Sequence, residues 1–239
     1  MNLFEWEAPG PYRVAFSTRL GGVSEGPFRS LNLGIKTTDE PERVLENRRR
    51  LAEATGADAG TAAMTMQVHG ARVREAEPGG ILTTPRTWQP ADGLWSARFG
   101  QAMLLLTADC LPIALAAKNG TPRLAILHVG WRGLLAGIAE AGVAAVGRGA
   151  AAMIGPGIGP CCYEVREDVA SPYRDRFGDG VLAAGRLDLA EAAERALSEA
   201  GCTSVERIER CTACEPDLFF SHRRDQGVTG RQGVLAYIA

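Results

Sequence analysis

The chain has 239 residues, of which 46% are hydrophobic and 23% charged, and its formal net charge is −2. It is long enough to bury a full core, and its nearly balanced charge argues against nucleic acid as a partner. No apolar run approaches the roughly 18 residues that would span a membrane, and the N-terminus lacks a signal-peptide core. We therefore expect a cytoplasmic protein in which residues 1–239 form a single domain.

Apolar or alternating segments bounded by Gly, Pro or Asn predict strands, two of them buried on both faces. These segments are residues 12–19, 64–76, 101–109, 111–118, 122–129, 151–160, 204–209 and 231–239. Amphipathic or small-residue patterns predict helices over 39–56, 132–149, 166–177 and 187–200. Because helices and strands alternate without repeats, we predict an α/β fold in which a mixed sheet is layered with helices.

Three residues of the kinds that bind metals lie at or just past the ends of predicted strands: His69 in QVHG, Cys110 in TADC and His128 in LHVG. Imidazole and thiolate are preferred ligands of Zn²⁺, and three protein ligands with an open fourth position are typical of catalytic zinc. Such widely separated ligands have no diagnostic spacing, and a histidine on an apolar strand is more often a hydrogen-bonded core residue. From spacing alone, a zinc site and ordinary packing both stay open.

Charged residues in the same motifs are candidates for binding substrate or moving a proton. Guanidinium groups that could hold phosphate or carboxylate are those of Arg19, Arg132, Arg223 and Arg224. Carboxylates that could relay a proton are Asp92, Asp109 and Glu164. The alternatives are solvated surface charge for the arginines and turn or cap roles for the carboxylates.

Four of the six cysteines form two close pairs in the sequence, Cys161 with Cys162 and Cys211 with Cys214. Together they could form a four-cysteine metal site. Vicinal cysteines cannot easily both reach one tetrahedral ion, so the sequence favours free thiols over that site.

Six motifs together resemble one bacterial family, in the same order and over nearly the whole chain: QVHG, ADGLWS, TADCLP, HVGWRG, GPGIGPCCYEV and DLFFSHRRDQGVTGRQ. The family is that of the laccase-domain or polyphenol oxidase-like proteins, now described as purine nucleoside phosphorylases and, in part, as peptidoglycan editing factors. The resemblance implies zinc ligation by His69, Cys110 and His128. It also implies a layered α-β-β-α sandwich of mixed sheets, similar to the cysteine-hydrolase-like toxin fold.

The resemblance further implies phosphorolysis of adenosine, inosine and methylthioadenosine to the base and ribose 1-phosphate, with deamination of adenosine as a second activity. The expected partners are therefore a small nucleoside and phosphate, bound by a monomer or homodimer. The predicted catalytic residues are Cys110, His69, His128 and Arg19, the last as a phosphate contact. The predicted substrate-binding residues are Arg19, Asp92, Asp109 and Arg132.

Residue types limit which of the family's activities this chain could perform. Three histidines are too few for the type 2 and type 3 coppers of a multicopper laccase, although copper could displace zinc in vitro. Neither His69 nor His128 begins the H-x-E motif of zinc nucleobase deaminases, so a proton carrier would have to come from elsewhere.

Three other functions remain open. Cys110 could be the nucleophile of a metal-free cysteine hydrolase, with His128 or His69 as its base. A peptidoglycan-precursor amidase could use either chemistry. The non-enzymatic alternative is a binding module in which zinc only closes the site.

Overall fold

A computed structural model of the chain describes residues 1–82 and 88–239, which form helices and two main β-sheets. The helices are Pro41–Thr55 (α1), Trp131–Leu135 (α2), Ile138–Val146 (α3), Glu167–Phe177 (α4) and Leu189–Ala200 (α5). The first strands are Leu3–Glu5 (β1), Tyr12–Ser17 (β2), Val73–Glu75 (β3), Gly93–Ser96 (β4), Met103–Thr107 (β5) and Leu111–Ala116 (β6). The remaining strands are Leu124–Val129 (β7), Ala151–Ile154 (β8), Leu182–Ala183 (β9), Arg186–Leu187 (β10), Ser204–Arg207 (β11) and Gln232–Ile238 (β12).

The two main sheets differ in strand direction. The four-stranded sheet has the order β1-β2-β12-β5 and is antiparallel throughout. The six-stranded sheet has the order β11-β8-β6-β7-β4-β3, and its two edge pairs, β11-β8 and β3-β4, are parallel. Strands β9 and β10 form a separate two-stranded hairpin.

Three apolar clusters separate four layers of structure. One cluster joins α1 to the four-stranded sheet and contains Leu51, Leu104 and Leu235. The second lies between the two sheets and contains Leu105 and Ile126. The third joins the six-stranded sheet to the helices that follow β7. This α-β-β-α layering confirms the predicted fold class.

Strand β6 shows why the central strands have continuous apolar sequences. Ile113 and Leu115 pack on the helical side, while Ala114 and Ala116 pack between the sheets. Since successive side chains of a strand point to opposite faces, a strand between two packed layers must be apolar at every position. All residues of β6 and β7 are buried, which confirms the expectation of strands buried on both faces.

The strand predicted over residues 64–76 is wrong for most of its length, because only Val73–Glu75 forms a strand there. The backbone takes a left-handed conformation at His69, where φ is 61°. The N–H groups of residues 68–70 are donated to the side chain of Asp92 rather than to a neighbouring strand. A carboxylate therefore replaces the sheet partner that the alternating pattern had suggested.

The helix predicted over residues 132–149 is two helices, α2 and α3. Gly137 lies between them with φ at 91°, a left-handed conformation that glycine adopts without strain. The helices predicted over 166–177 and 187–200 are confirmed as α4 and α5. Among the described residues, no helix has both the length and the apolar composition needed to cross a membrane.

Candidate metal centre and substrate cavity

Cys110, in the turn between β5 and β6, lies close to His128, near the end of β7. Cys110 directly precedes β6, and His128 is the penultimate residue of β7. These strands are antiparallel, with Leu111 paired to Val129 and Pro112 to His128. That register places Cys110, just before β6, next to the C-terminal end of β7.

His69 completes what we call the His–Cys–His cluster, formed by His69, Cys110 and His128. One side-chain donor atom from each residue lies within 4.8 Å of the other two. The two imidazole rings are in an edge-on contact, with centroids 4.8 Å apart and an interplanar angle of 74°. His128 is buried, Cys110 is half-buried and His69 is exposed, so the cluster is closed on the protein side and open on the other.

Asp92 fixes the orientation of this cluster through hydrogen bonds to His128 and His69. Its Oδ1 lies 2.9 Å from Nδ1 of His128, so the carboxylate accepts a hydrogen bond from Nδ1–H, and in the neutral ring the lone pair of Nε2 is left for a metal ion. The same carboxylate accepts backbone N–H groups from His69 at 2.8 Å and Gly70 at 2.7 Å. A carboxylate behind a ligating histidine is the usual second partner of a metal site.

Asp92 is completely buried, and hydrogen bonds occupy both of its oxygens. Asp92 is not among the described residues that line the cavity, and its predicted contact with substrate stays a prediction. The structure gives Asp92 the role of a positioning residue, which holds His128 and the His69 loop in place.

The electrostatics of the cluster favour a thiolate. Burial by itself raises the pKa of the Cys110 thiol, but the charge of His128 and hydrogen bonds from His128 and His69 lower it to about 6. Burial likewise lowers the pKa of His128, but the Cys110 thiolate and the Asp92 hydrogen bond raise it to about 9. Because the thiolate is the form that ligates metal, Cys110 is prepared for metal binding at neutral pH.

Gly130 leaves space for the sulfur of Cys110. A Cβ atom at this position would lie 3.0 Å from Cys110 Sγ and 3.2 Å from His69 Cδ2. The backbone of Gly130 has φ of −95°, which alanine adopts readily, so the constraint is steric. The glycine that opens the GWRG motif is thus explained by the cluster that it packs against.

We therefore expect Gly130→Ala to weaken metal binding by about tenfold or more while the chain still folds, because the new methyl group displaces a ligand. Metal retained after dialysis against a graded chelator measures the effect. Gly79→Ala is the matched control, since its Cβ would meet nothing closer than a carbonyl oxygen at 3.8 Å. Equal metal retention in both variants would contradict this steric argument.

A cavity of about 610 Å³ opens beside the His–Cys–His cluster, and all three cluster residues form part of its wall. Its aromatic lining consists of Phe28, Trp88 and Tyr163. Its charged or ionisable lining, besides the cluster, includes Lys36, Arg48, Asp109, His222, Arg223 and Arg231. A cavity of this volume that combines apolar and polar groups is suited to a small organic ligand.

Asp109 is the predicted carboxylate that the structure places in the cavity wall. It has φ of 88°, and its Oδ1 accepts the Thr212 hydroxyl at 2.6 Å while Oδ2 accepts the Arg223 N–H at 2.7 Å. These bonds connect the turn before Cys110 to the segment that follows β11. Glu164, by contrast, is exposed and pairs with Arg186 at 3.5 Å, and it is not among the described residues that line the cavity.

Arg19 and Arg132, which were predicted to contact substrate, are not among the described residues of the cavity wall, and their binding role stays a prediction. Arg19 donates to the carbonyl oxygens of Arg29 and Pro216, both at 2.7 Å. Arg132 is exposed and stacks on its neighbour Trp131, 4.9 Å from the ring centroid. The contacts of both guanidinium groups are therefore with neighbouring protein groups.

Arg231, which no sequence motif singled out, lies directly before β12 and lines the cavity. Burial lowers the pKa of its guanidinium, and the charges of Asp109 and Cys110 oppose that shift, which places the group within electrostatic reach of both. Arg48 lines the same cavity and is fully buried in α1, with its Nε donating to the Leu33 carbonyl at 2.9 Å. The SHRRD motif was recognised, but of its two arginines only Arg223 lines the cavity.

Comparison with known proteins connects this geometry to a family. A sequence profile described as "Multi-copper polyphenol oxidoreductase laccase" matches residues 13–239. A purine nucleoside phosphorylase of Pseudomonas aeruginosa is 38% identical, over 98% of this chain and 96% of its own. A purine nucleoside phosphorylase of Deinococcus radiodurans is 41% identical, over 92% of this chain and 87% of its own.

Among solved structures, the protein YfiH of Bacillus licheniformis superposes with a TM-score of 0.90 at 31% identity, covering 98% of each chain. The family match therefore extends across both sheets and the helices packed on them, and includes every residue of the His–Cys–His cluster. The chain belongs to the family of laccase-like proteins whose curated members are named purine nucleoside phosphorylases.

Proposed function

We propose that the protein is a zinc-dependent purine nucleoside phosphorylase that converts adenosine, inosine and methylthioadenosine to the free base and ribose 1-phosphate, with deamination of adenosine as a second activity. The observation that carries the proposal is the convergence of His69, Cys110 and His128 on the wall of a cavity of about 610 Å³. The names of the relatives supply the substrate class.

The donor set fits zinc. Two imidazoles and one thiolate are ligands that Zn²⁺ prefers, and the exposed side of the cluster leaves a position for a reactant. When bound there, zinc supplies a Lewis acid that holds and polarises an oxygen ligand beside the cavity.

The residues of the chain itself account for binding and orientation. Phosphorolysis requires a held phosphate next to a ribose that develops positive charge, and Arg231 provides a fixed cation on the wall near Cys110. The aromatic lining offers flat apolar faces for a purine ring. Of the three carboxylates proposed to assist the base, Asp109 alone is on the described cavity wall, which makes it our candidate for a hydrogen bond to the departing purine.

A product analysis tests the proposal directly. The purified protein is incubated with adenosine, with and without phosphate, and the products are separated by chromatography. We expect adenine and ribose 1-phosphate only when phosphate is present, loss of turnover with a chelator, and recovery with Zn²⁺. Base release that does not depend on phosphate would contradict phosphorolysis, and full activity after complete metal removal would contradict the role of zinc.

Arg231→Gln is expected to raise the KM for phosphate by about tenfold or more, because a charge-assisted hydrogen bond contributes about 1.5–3 kcal/mol. The KM for adenosine should change much less, and Arg231→Lys should restore part of the phosphate affinity. Arg123→Gln is the matched control, since Arg123 stacks on Trp95 at the far end of β7 from His128. A parallel rise in both KM values would instead indicate general damage to the wall.

The lowered thiol pKa of Cys110 favours one second candidate, a metal-free cysteine hydrolase. Here the Cys110 thiolate would be the nucleophile and His128 or His69 the proton donor, acting on an amide such as that of a peptidoglycan precursor. For such a hydrolase we expect that activity survives treatment with chelators and is lost when the Cys110 thiol is alkylated. If the protein is a zinc enzyme, a chelator should abolish its activity. Thiol alkylation should then have little effect on the metal-loaded protein, since the bound ion protects Cys110 from alkylation.

A further inference from the structure

A second cluster of side chains of metal-binding type lies apart from the His–Cys–His cluster and is not among the described residues that line the cavity. We call it the four-cysteine cluster, formed by Cys161, Cys162, Cys211 and Cys214. Their four Sγ atoms lie within 4.8 Å of one another. Cys161 and Cys214 are exposed and the other two are half-buried, so the cluster is near the surface and accessible to an ion.

The distances in this cluster suit one tetrahedral ion. Sγ of Cys214 lies 3.4 Å from that of Cys161 and 3.3 Å from that of Cys162. Four thiolates around Zn²⁺, each bonded at about 2.3 Å, have sulfurs roughly 3.8 Å apart. The cluster needs only small side-chain movements to reach that arrangement.

The local backbone explains how two adjacent cysteines can face one point. The chain turns at residues 159–163, where the N–H groups of Cys162 and Tyr163 both donate to the Gly159 carbonyl at 3.0 Å. In an extended segment, neighbouring side chains point to opposite sides, but in this turn both sulfurs lie on the side that faces Cys214. The sequence-based objection to a four-cysteine site assumed that vicinal side chains diverge, and the turn removes it.

The second pair is held in a tight turn whose backbone donates to sulfur. The N–H groups of Cys214 and Glu215 both donate to the Cys211 carbonyl at 3.2 Å. Sγ of Cys211 accepts an N–H from Gly159 at 3.3 Å, and the backbone of Ala213 and Cys214 also donates to it. Several N–H donors on one sulfur stabilise a thiolate, which is the form that binds metal.

We propose that Cys161, Cys162, Cys211 and Cys214 form a second metal site, structural in kind, that binds one Zn²⁺ independently of the His–Cys–His cluster. Four protein ligands complete a tetrahedron and leave no position for a reactant, which is the usual composition of a structural site. Binding releases the thiol protons to solvent and leaves all four sulfurs as thiolates. No oxidant is required.

The second site would tie together two segments of the cavity wall. One segment carries Tyr163 and the other carries Arg223, and both residues line the cavity. The two segments are also joined by the Arg223 guanidinium, which donates to the Glu164 carbonyl at 2.9 Å, and by the Thr212 N–H, which donates to the Gly157 carbonyl at 2.9 Å. An ion between the segments would therefore stabilise the wall without touching a substrate.

Metal content tests this proposal without any measurement of catalysis. Protein purified under reducing conditions with added Zn²⁺ and then desalted is analysed by inductively coupled plasma mass spectrometry. We expect two zinc ions per wild-type chain, one in the double variant Cys211→Ser with Cys214→Ser, and one in Cys110→Ala. Cys202→Ser is the matched control, because this cysteine belongs to neither cluster, and it should retain two.

Two further measurements on wild-type protein keep the test decisive if the double variant does not fold. Co²⁺ substitution should give the strong sulfur-to-metal charge-transfer absorption of a tetrathiolate site, and thiol titration should find the two exposed cysteines protected until a chelator is added. A zinc content that is the same in the wild-type chain and in the folded double variant would overturn the proposal, whether that content is one ion or two. One zinc per wild-type chain that is lost in the double variant but kept in Cys110→Ala would support the four-cysteine site and count against zinc at the His–Cys–His cluster. A disulfide between these cysteines in the protein purified under reducing conditions with Zn²⁺, seen as a mass two hydrogens below that of the fully reduced chain, would also overturn it.

Discussion

Replacing Cys110 with alanine should remove phosphorolysis down to the background of the assay. The substitution deletes the one thiolate of the His–Cys–His cluster and leaves two imidazoles, of which His69 is exposed. Removal of a residue that only supports a metal ligand already costs roughly 10–100-fold in affinity or activity, so loss of the ligand itself should exceed about a hundredfold. Rates of ribose 1-phosphate formation and zinc content, measured on the same preparations, test this together.

Cys202→Ala is the control for this experiment. Cys202 is half-buried against the helical side of the six-stranded sheet and far in sequence from the cluster, so its variant should keep both metal and turnover. A Cys110→Ala protein that retains zinc at the His–Cys–His cluster and turns over adenosine at the wild-type rate would refute the proposed function. Loss of turnover with metal retained would instead support Cys110 as a nucleophile.

The layered fold was predictable because each central strand carries its own signal. Every position of β6 is apolar, and so is every position of β7 except His128, and that pattern marks a strand covered on both faces whatever its partners are. The helices α4 and α5 were found for a similar reason, since their periodicity is local. What the local pattern does not contain is the pairing of strands distant in sequence.

Unpredicted strand pairings explain why the sequence showed neither the contact of Asp92 with His128 nor the place of Arg231. Strand β4 was not predicted, yet its register pairs Gly93 with Leu127 and so places Asp92 beside His128. In the other sheet, Gln232 pairs with Thr107, which brings Arg231 to the end of β5 just before Asp109. Strand pairing creates both of these contacts. A charged residue that lies near a site motif in the sequence is therefore a poor guide to which charged residues lie near the site in space.

The same limit applies to the predicted phosphate contact at Arg19. The resemblance identified its motif, but the guanidinium is used by the carbonyl oxygens of Arg29 and Pro216. The cluster residues were easier to find, because His69, Cys110 and His128 each belong to a motif at or just past the end of a predicted strand, and the structure brings the three side chains together. The role of a cysteine or histidine in such a motif is easier to predict from sequence than that of an arginine, because an arginine has more alternative roles in a folded protein.

Asp92→Asn should destabilise the folded chain and weaken metal binding at once. The carboxylate accepts on both oxygens: Oδ1 from His128 and from the backbone of His69, and Oδ2 from the backbone of Gly70. An asparagine has one acceptor and one donor group, so in either orientation its NH₂ faces a buried N–H. Since hydrogen bonds to a charged group contribute about 1.5–3 kcal/mol, we expect unfolding to become easier by about that amount.

Metal affinity in the same variant should fall by about 10–100-fold, because the ring of His128 and the loop of His69 both lose their anchor. Chemical denaturation of the metal-free protein measures the first effect, and chelator competition on the folded protein measures the second. Asp58→Asn is a matched control: Asp58 also accepts a backbone N–H, from Gly60 at 2.8 Å, but at an exposed turn where water replaces a lost bond. If Asp92→Asn lowers stability but leaves the metal affinity of the folded protein unchanged, Asp92 supports only the loop. A fall in both shows that one buried carboxylate holds two ligands in register, which is how distant segments of this chain come to share one ion.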